Sequence, residues 1–325
     1  MSDSAWQPSA SLAVLHARSA MLARIRAYFA AQEVEEVQTP LLSAAAVSDP
    51  AIESVAAAPA VGPRLFLQTS PEYPMKRLLA AGFGDCYQVC PVFRDGESGR
   101  LHNPEFTMIE WYRLEYGVGE MQHDVDRLLR VACAEIRSFP PTRSITYQEA
   151  IREACGLDCR HASPADIRVA LAARGIEPAN ADGWDRDAWL DLVMGAVAGP
   201  GLGHDAPVFV NDYPASQAAL ARLRTEPDGT QVAERFELYV DGLELANGFR
   251  ELGDALEQRR RFEQDLRVRE GHGKVRNPLD ERLLAALAHG LPDCAGVAVG
   301  FDRLVMAALR LPSLADAMAF PGDRA

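Results

Sequence analysis

The sequence predicts an α+β fold, and three observations lead there. Apolar strand-like runs are spread from about residue 65 to residue 300. Helical stretches interrupt them at irregular intervals instead of forming repeating βαβ units. Two pairs of runs are joined by polar or Asp-Gly connections and therefore read as antiparallel hairpins. No internal repeat, low-complexity tract or Pro/Gly/Ser linker divides the 325 residues, so the expectation is a single domain over 1–325 with a small helical insertion at about 138–207.

Taken in order, Ser11 to Gln32 has apolar residues at Leu12, Leu15, Met21, Leu22, Ile25 and Phe29, a spacing that predicts an amphipathic helix starting after Ser9 or Ser11. Thr39 and Pro40 stop regular structure in the following VEEVQTPLL. Leu65 to Thr69 is a short buried strand that delivers Ser70, Pro71 and Glu72 at its end, and Tyr73 to Ala81 is a helix. Tyr87 to Phe93 and Phe106 to Tyr112 are strands of a long hairpin whose loop, Arg94 to Glu105, is charged and contains glycine. Gly119 to Ser138 is helical. Phe236 to Val240 and Leu243 to Phe249 flank Asp241-Gly242, which supplies the positive-φ positions of a two-residue turn. If Val240 pairs with Leu243, then Tyr239 pairs with Glu244 and Leu238 with Leu245, and Glu237 and Glu244 share one face as diagonal neighbours. Helices at Ala255 to Glu270 and Asp280 to His289, a strand at Val297 to Val299 and a helix from Phe301 to Arg310 complete the chain.

Composition limits the function. With 48% hydrophobic and 24% charged residues the chain can build a sizeable core. Its 33 Lys and Arg against 46 Asp and Glu give a net charge of −13, which argues against a protein whose main task is gripping a nucleic-acid backbone. Met1 to Ala10 lacks a basic stretch followed by an apolar one, so no secretory leader is read and a cytoplasmic location is expected. No run approaches a membrane span; the Ala-rich stretch from Ala44 to Val61 is broken by Asp49, Pro50, Glu53 and Pro59. The six cysteines read as buried thiols, and Cys86 and Cys90, on one strand about 13 Å apart at ~3.3 Å per residue, could not share one ion.

Two clusters carry chemistry. The loop after Arg94 holds Asp95, Glu97, Arg100, His102, Asn103 and Glu105, and from its residues alone it is either a solvated connection or a ligand-binding one. Glu237 and Glu244 side by side call for a cation, unless they are a plain surface pair.

The loop and its flanks, FRDGESGRLHNPEFTMIEWY, closely resemble motif 2 of the class II aminoacyl-tRNA synthetases. VEEVQTPLL around Val34 to Leu41 resembles motif 1, the dimer-interface element, and GVAVGFDRLVMAALR from Gly296 to Arg310 resembles motif 3. TSPEYPMKRLL at Thr69 to Leu79 and ELANGFREL at Glu244 to Leu252 are similar to the lysyl branch. The resemblance implies a catalytic core with a mixed, mostly antiparallel sheet flanked by helices, a homodimer through motif 1, and ATP with Mg²⁺. It implies Arg94 on the α-phosphate and Arg303 on the γ-phosphate as catalytic cations, with Asp95, Gly96, Glu97, Asn103, Glu244, Leu245 and Gly300 also on the nucleotide. Glu237 and Glu244 are the implied Mg²⁺ ligands. Ser70, Pro71 and Glu72 line the substrate-amine side; Tyr112 and Glu251 hold the far amino group, with Glu110 a weaker candidate.

Members of the lysyl branch carry an anticodon-binding domain ahead of this core, whereas this chain starts within about ten residues of the motif 1 helix. The expected activity is therefore that of the truncated, protein-modifying paralogues, which activate (R)-β-lysine, and α-lysine more weakly, and join it to a lysine side chain of elongation factor P, with no tRNA as partner. The alternatives are a truncated synthetase acting on tRNA or a small molecule, and a non-catalytic amino-acid-binding subunit. Two departures from the synthetase pattern stand out. Gly96 occupies the position of a motif 2 glutamate, so that either the loop shifts by one residue or a backbone group takes over the adenine contact. Ala298 replaces a motif 3 glycine, a methyl expected to intrude on the amino-acid pocket, so Ala298→Gly should improve use of α-lysine over β-lysine in pyrophosphate exchange. The Arg-rich helix from Leu256 to Lys274 is a candidate docking surface for an acidic partner, although an ordinary solvated face with Glu–Arg pairs explains it better.

Overall fold

The computed structural model describes residues 6–179, 181 and 183–325. The first half of the Met1–Ala10 stretch read for a leader lies outside the described residues. The chain divides into two compact units, Met1–Ser138 with Arg250–Ala325, and Phe139–Phe249. In chain order the first unit begins with α1 (Leu12–Ala31), β1 (Glu35–Glu36), β2 (Leu42–Ser43), β3 (Ala56–Ala57), β4 (Leu65–Leu67), α2 (Glu72–Ala80), β5 (Cys86–Phe93), β6 (Glu105–Leu114) and α3 (Val118–Ala132). Then come β7 (Arg143–Thr146), α4 (Tyr147–Cys155), α5 (Pro164–Ala172), α6 (Arg186–Val193), α7 (Gly199–Gly201), β8 (Val208–Pro214), β9 (Leu223–Thr225), β10 (Gln231–Val240) and β11 (Leu243–Arg250). The chain closes with α8 (Ala255–Gly271), α9 (Glu281–Gly290), β12 (Cys294–Gly300) and α10 (Phe301–Leu309).

The sheet of the first unit runs in the order β1-β5-β6-β12, antiparallel except for the β1–β5 pair, and β2, β4 and β3 form a small separate sheet. Alternation along the strands gives the main sheet two different faces. Tyr87, Ile109, Trp111, Val297 and Val299 point to one face and are buried. There Phe29 of α1 stacks on Tyr87 at 4.1 Å and meets Trp111 edge-on at 5.4 Å. The polar tips on this side are satisfied by Asp124 of α3, which accepts from Trp111 Nε1 at 3.1 Å and from the Tyr28 hydroxyl. The other face carries Gln88, Cys90, Met108, Glu110, Tyr112, Gly296, Ala298 and Gly300, brought level because Tyr112 pairs with Cys86 and Gly296, and Glu110 with Gln88 and Ala298. Its two ends are packed apolar, one by Met75 and Leu79 of α2 against Cys86, Tyr112 and Cys294, the other by Cys90, Val92 and Met108 with Ala298, and the polar residues lie between them.

Most element types agree with the sequence reading, and the differences have local causes. The first helix is capped by Ser11, whose hydroxyl accepts from Val14 N at 3.3 Å. The helix expected to reach Ser138 ends at Ala132, and Glu135 shortly after it takes a left-handed φ of 67°. Five of the six cysteines are buried and the sixth, Cys155, is half-buried; all are free thiols.

In the second unit β10 pairs with β11 on one side and β8 on the other, β7 lies parallel to β8, and α4, α5 and α6 pack on Val208, Val210, Tyr213, Ala233 and Tyr239. The predicted turn forms, with Asp241 at φ 50° and Gly242 at 75°. A side chain at Gly242 would meet Pro200 O at 2.8 Å, so the loop's close approach as well as its φ requires glycine. The register starts as predicted, Val240 with Leu243 and Tyr239 with Glu244. It then departs: Leu238 pairs with Ala246, not Leu245, because a bulge places Leu245 as an extra residue in β11.

Candidate active site

The polar face of the first unit's sheet is where the predicted amino-acid pocket assembles. Glu110 is 2% exposed; Ser70 Oγ donates to its Oε2 at 2.6 Å and the Tyr112 hydroxyl to its Oε1 at 2.6 Å. Burial, then the nearby Glu72 charge, push the Glu110 carboxyl up to about 7 despite these hydrogen bonds. Ser70 also accepts from Glu72 N at 3.0 Å, which ties the first turn of α2 to the pocket, with Pro71 at the helix cap. Glu251 is 3% exposed and lies beside Gly296, where an added Cβ would sit 2.4 Å from both Glu251 Oε1 and Tyr112 Cε1. The bare backbone of Gly296 is thus what makes room for the carboxylate and the ring. Ala298, two residues on, turns its methyl toward Cys90, Val92 and Met108.

One cation already stands in this pocket. Lys76, 1% exposed, reaches from α2 to Glu72 Oε1 at 2.6 Å and Glu251 Oε2 at 2.5 Å. Burial alone would lower its pKa, but the Glu251 and Glu72 charges outweigh it and hold it above the ordinary lysine value. The sequence reading gave Glu251 to a substrate amino group alone; in the structure one of its oxygens is held by Lys76, and Oε1 meets no donor among the described residues.

Above the pocket, motifs 2 and 3 close on each other. Arg94 N donates to Pro104 O at 2.9 Å at the base of the loop, its guanidinium lies 5.2 Å over the Phe106 ring, and Glu97 approaches it at 3.7 Å. Gly96 sits at φ 77°, which explains a glycine there: the chain turns directly after Asp95, and Glu97 folds back to Arg94. Arg303, in the first turn of α10, donates from Nη2 to His102 Nε2 at 2.9 Å. Arginine only donates, so that nitrogen accepts, the ring is neutral, and burial followed by the Arg303 charge holds its pKa below the ordinary value. Asp302 fixes the helix start by accepting from Thr107 N at 2.6 Å and Arg18 Nη1 at 2.5 Å. At Gly300 an added Cβ would touch only Arg303 at 3.9 Å, so no neighbouring protein atom demands glycine there. Asn103 is engaged internally, accepting from Gly322 N at 2.9 Å and donating to Glu105 O at 2.5 Å.

The carboxylate pair belongs to the second unit. Glu237 is 5% exposed and accepts from Arg235 Nη2 and the Tyr239 hydroxyl, each at 2.7 Å. Glu244 is half-buried and its charge reaches both Arg235 and Tyr239, so the two glutamates share one face despite the bulge at Leu245. Each Glu237 oxygen keeps a second lone pair, and the donors are hard oxygens, as Mg²⁺ prefers. The pair could bind a divalent ion together with phosphate oxygens, while Arg235 offsets part of its charge.

Comparison with known proteins now bears on this arrangement. The family model of the class II tRNA synthetases (D, K and N) matches residues 6–324. The chain belongs to that family. Proteins from Salmonella gallinarum, Salmonella paratyphi B and Salmonella schwarzengrund, each carrying the name elongation factor P–(R)-β-lysine ligase, are 47% identical to it over 331 residues, covering all of this chain and all of theirs. For this class II family member, the residues assigned from the motifs fall into two sets, each within one unit. Ser70, Glu72, Glu110, Tyr112 and Glu251 cluster on the polar sheet face, which Ala298 also occupies, and Arg94 and Arg303 stand at the motif 2 loop and on α10 of the same unit; Glu237, Glu244 and Leu245 lie on the second unit's hairpin. Sequence reasoning missed Lys76 and Gln88. Lys76 stands four residues after Glu72, a spacing that puts both on one helix face and would have found it. Gln88 is buried opposite Glu110 and its Oε1 has no donor among the described residues; nothing in its sequence context marked it.

Proposed function

We propose that this class II family member activates a lysine isomer, (R)-β-lysine in preference to α-lysine, with ATP and transfers the aminoacyl group to a lysine side chain of elongation factor P. The observation that carries the reading is the acidic set of buried Glu110 and Glu251 with half-buried Glu72, on the sheet face of the unit that also carries Arg94 and Arg303. A buried ammonium needs carboxylate partners, and the pocket supplies them. In the first step a carboxylate oxygen of the amino acid attacks the α-phosphorus, a P–O bond forms, and pyrophosphate leaves. Arg94 and Arg303 are assigned to the charge on the phosphates, so their work is positioning and neutralisation. In the second step the acceptor lysine amine attacks the adenylate carbonyl, an amide forms, and AMP leaves with the proton passing to solvent or phosphate. Mg²⁺, where bound, would supply further neutralisation of phosphate charge, with Glu237 and Glu244 as its protein ligands. We further read the working form as a cytoplasmic homodimer through the Val34–Leu41 element, acting without tRNA.

Mass spectrometry of elongation factor P incubated with the enzyme, ATP, Mg²⁺ and each lysine isomer tests this. A single β-lysine adduct on the protein, with no charging of tRNA, is the expected result. Pyrophosphate exchange without protein modification would overturn the acceptor, and charging of tRNA would favour the truncated-synthetase alternative.

A further inference from the structure

Lys76 is a buried ammonium inside a pocket proposed to receive ammonium groups. It is almost fully buried, it bridges carboxylates from two different elements at 2.6 and 2.5 Å, and it leaves Glu251 Oε1 lying over Gly296 with no donor among the described residues. The pocket holds three acidic side chains, Glu72, Glu110 and Glu251, and this one lysine. A lysine isomer brings two ammonium groups, and a monoamino acid such as norleucine brings one.

We propose that Lys76 is a specificity-determining positioning residue: bridging Glu72 and Glu251, it fixes the Glu251 carboxyl over Gly296 and presents its Oε1 to the ammonium of a lysine-like ligand. The inference rests on the lysine-activating reading above. The groups around the bridge are Glu72 of α2, Glu251 after β11, Glu110 and Tyr112 of β6, Cys86 of β5 and Cys294 of β12. Tyr112, Cys86 and Cys294 are all raised by burial and stay neutral near pH 7, so only the acids and Lys76 set the charge. Burial raises the Glu251 carboxyl to about 8 even though the Lys76 charge pulls it back; without Lys76 it rises further and holds its proton over a wider pH range. The ammonium of the ligand binds the ionised form, so losing Lys76 weakens binding at neutral pH and restores it as pH rises.

Lys76→Met tests the inference, read by pyrophosphate exchange and by calorimetric binding of lysine and norleucine from about pH 6 to about pH 11. The expected result is a KM for the lysine substrate about 100-fold higher at pH 7 with kcat little changed, and a midpoint of kcat/KM against pH moved upward by about 1 to 3 pH units. Lys76→Arg should retain most of the lysine-over-norleucine preference. If Lys76→Met does not fold, Glu72→Gln/Lys76→Met removes one acid with the base, and should fold and show the same upward pH movement. A loss confined to kcat, or an unchanged pH midpoint in a folded variant, overturns the inference. Wild-type protein that binds lysine and norleucine equally overturns it as well. Wild-type protein that prefers lysine but fails to exchange pyrophosphate sinks the activation reading while leaving the binding arm to decide on Lys76.

Discussion

A hydrogen atom in place of a methyl at Gly296 decides whether the pocket exists. Glycine in a strand interior normally weakens it, yet here a Cβ would fall 2.4 Å from Glu251 Oε1 and from the Tyr112 ring. Both neighbours are buried and held, the carboxylate by Lys76 and the ring by its hydroxyl bond to Glu110, so neither can yield cheaply. Gly296→Ala should therefore raise the KM for the amino acid by about 100-fold while the KM for ATP changes less than about threefold, because the clash is with the ammonium-binding groups and not with Arg94 or Arg303. Steady-state pyrophosphate exchange with each substrate varied checks this; equal effects on both KM values would mean the strand itself had shifted. The Gly-x-Ala-x-Gly pattern was legible in the sequence, but its reason was not, since the atoms that forbid the methyl come from Glu251 and Tyr112, 45 and 184 positions away in the chain. Glu251 itself was assigned to the ligand without its lysine partner, because pairing across elements leaves no periodic trace.

Elements were easier to find than the links between them. The hairpin at Asp241-Gly242 is specified locally, and it forms as predicted at the turn. The bulge at Leu245 is not specified locally, so a register counted outward from the turn fails two residues later. The link between α1 and α10 was also hidden. Arg18 of α1 lies 4.6 Å over the Phe301 ring, donates to Thr107 Oγ1 at 3.0 Å, and reaches Asp302, which is 1% exposed and holds Thr107 N. One carboxylate thus joins the N-terminal helix, the motif 2 strand and the start of the motif 3 helix. Asp302→Ala takes from Arg18 its carboxylate partner, leaving it Thr107 Oγ1 and Ala317 O, and leaves Thr107 N without its acceptor, and should cost about 3 to 5 kcal/mol. A fall in the urea midpoint at unchanged slope is the expected outcome, and a change below about 1 kcal/mol would show that Arg18 and Thr107 find water or other partners instead.

Across the whole chain the charge of −13 raises the question of how a protein acceptor would be met. The helix α8 holds the densest run of arginines, and the sequence left it as either a docking face or a solvated one. The structure gives those arginines partners. Arg260 donates to both Glu257 oxygens at 2.8 and 2.7 Å, Arg261 to Glu257 at 2.9 Å, Arg259 to Glu281, and Arg267 to Gln264 at 2.9 Å. Arg269, at the buried side, is 0% exposed and clamps both oxygens of Glu53 together with the Asp49 and Ile52 carbonyls. Charge in α8 is thus largely answered within the helix and by its neighbours, and solvent and salt screen exposed pairs of this kind. Arg260→Glu with Arg267→Glu changes the charge by two at each site, taking the chain from −13 to −17. If α8 does not meet the acceptor, this double variant should leave the KM for elongation factor P within about twofold at 0.15 M salt, because screening over ~8 Å removes the remaining long-range term. Modification rates at several acceptor concentrations and two ionic strengths decide the matter: a rise of about tenfold or more that shrinks with salt would instead place the acceptor on this helix.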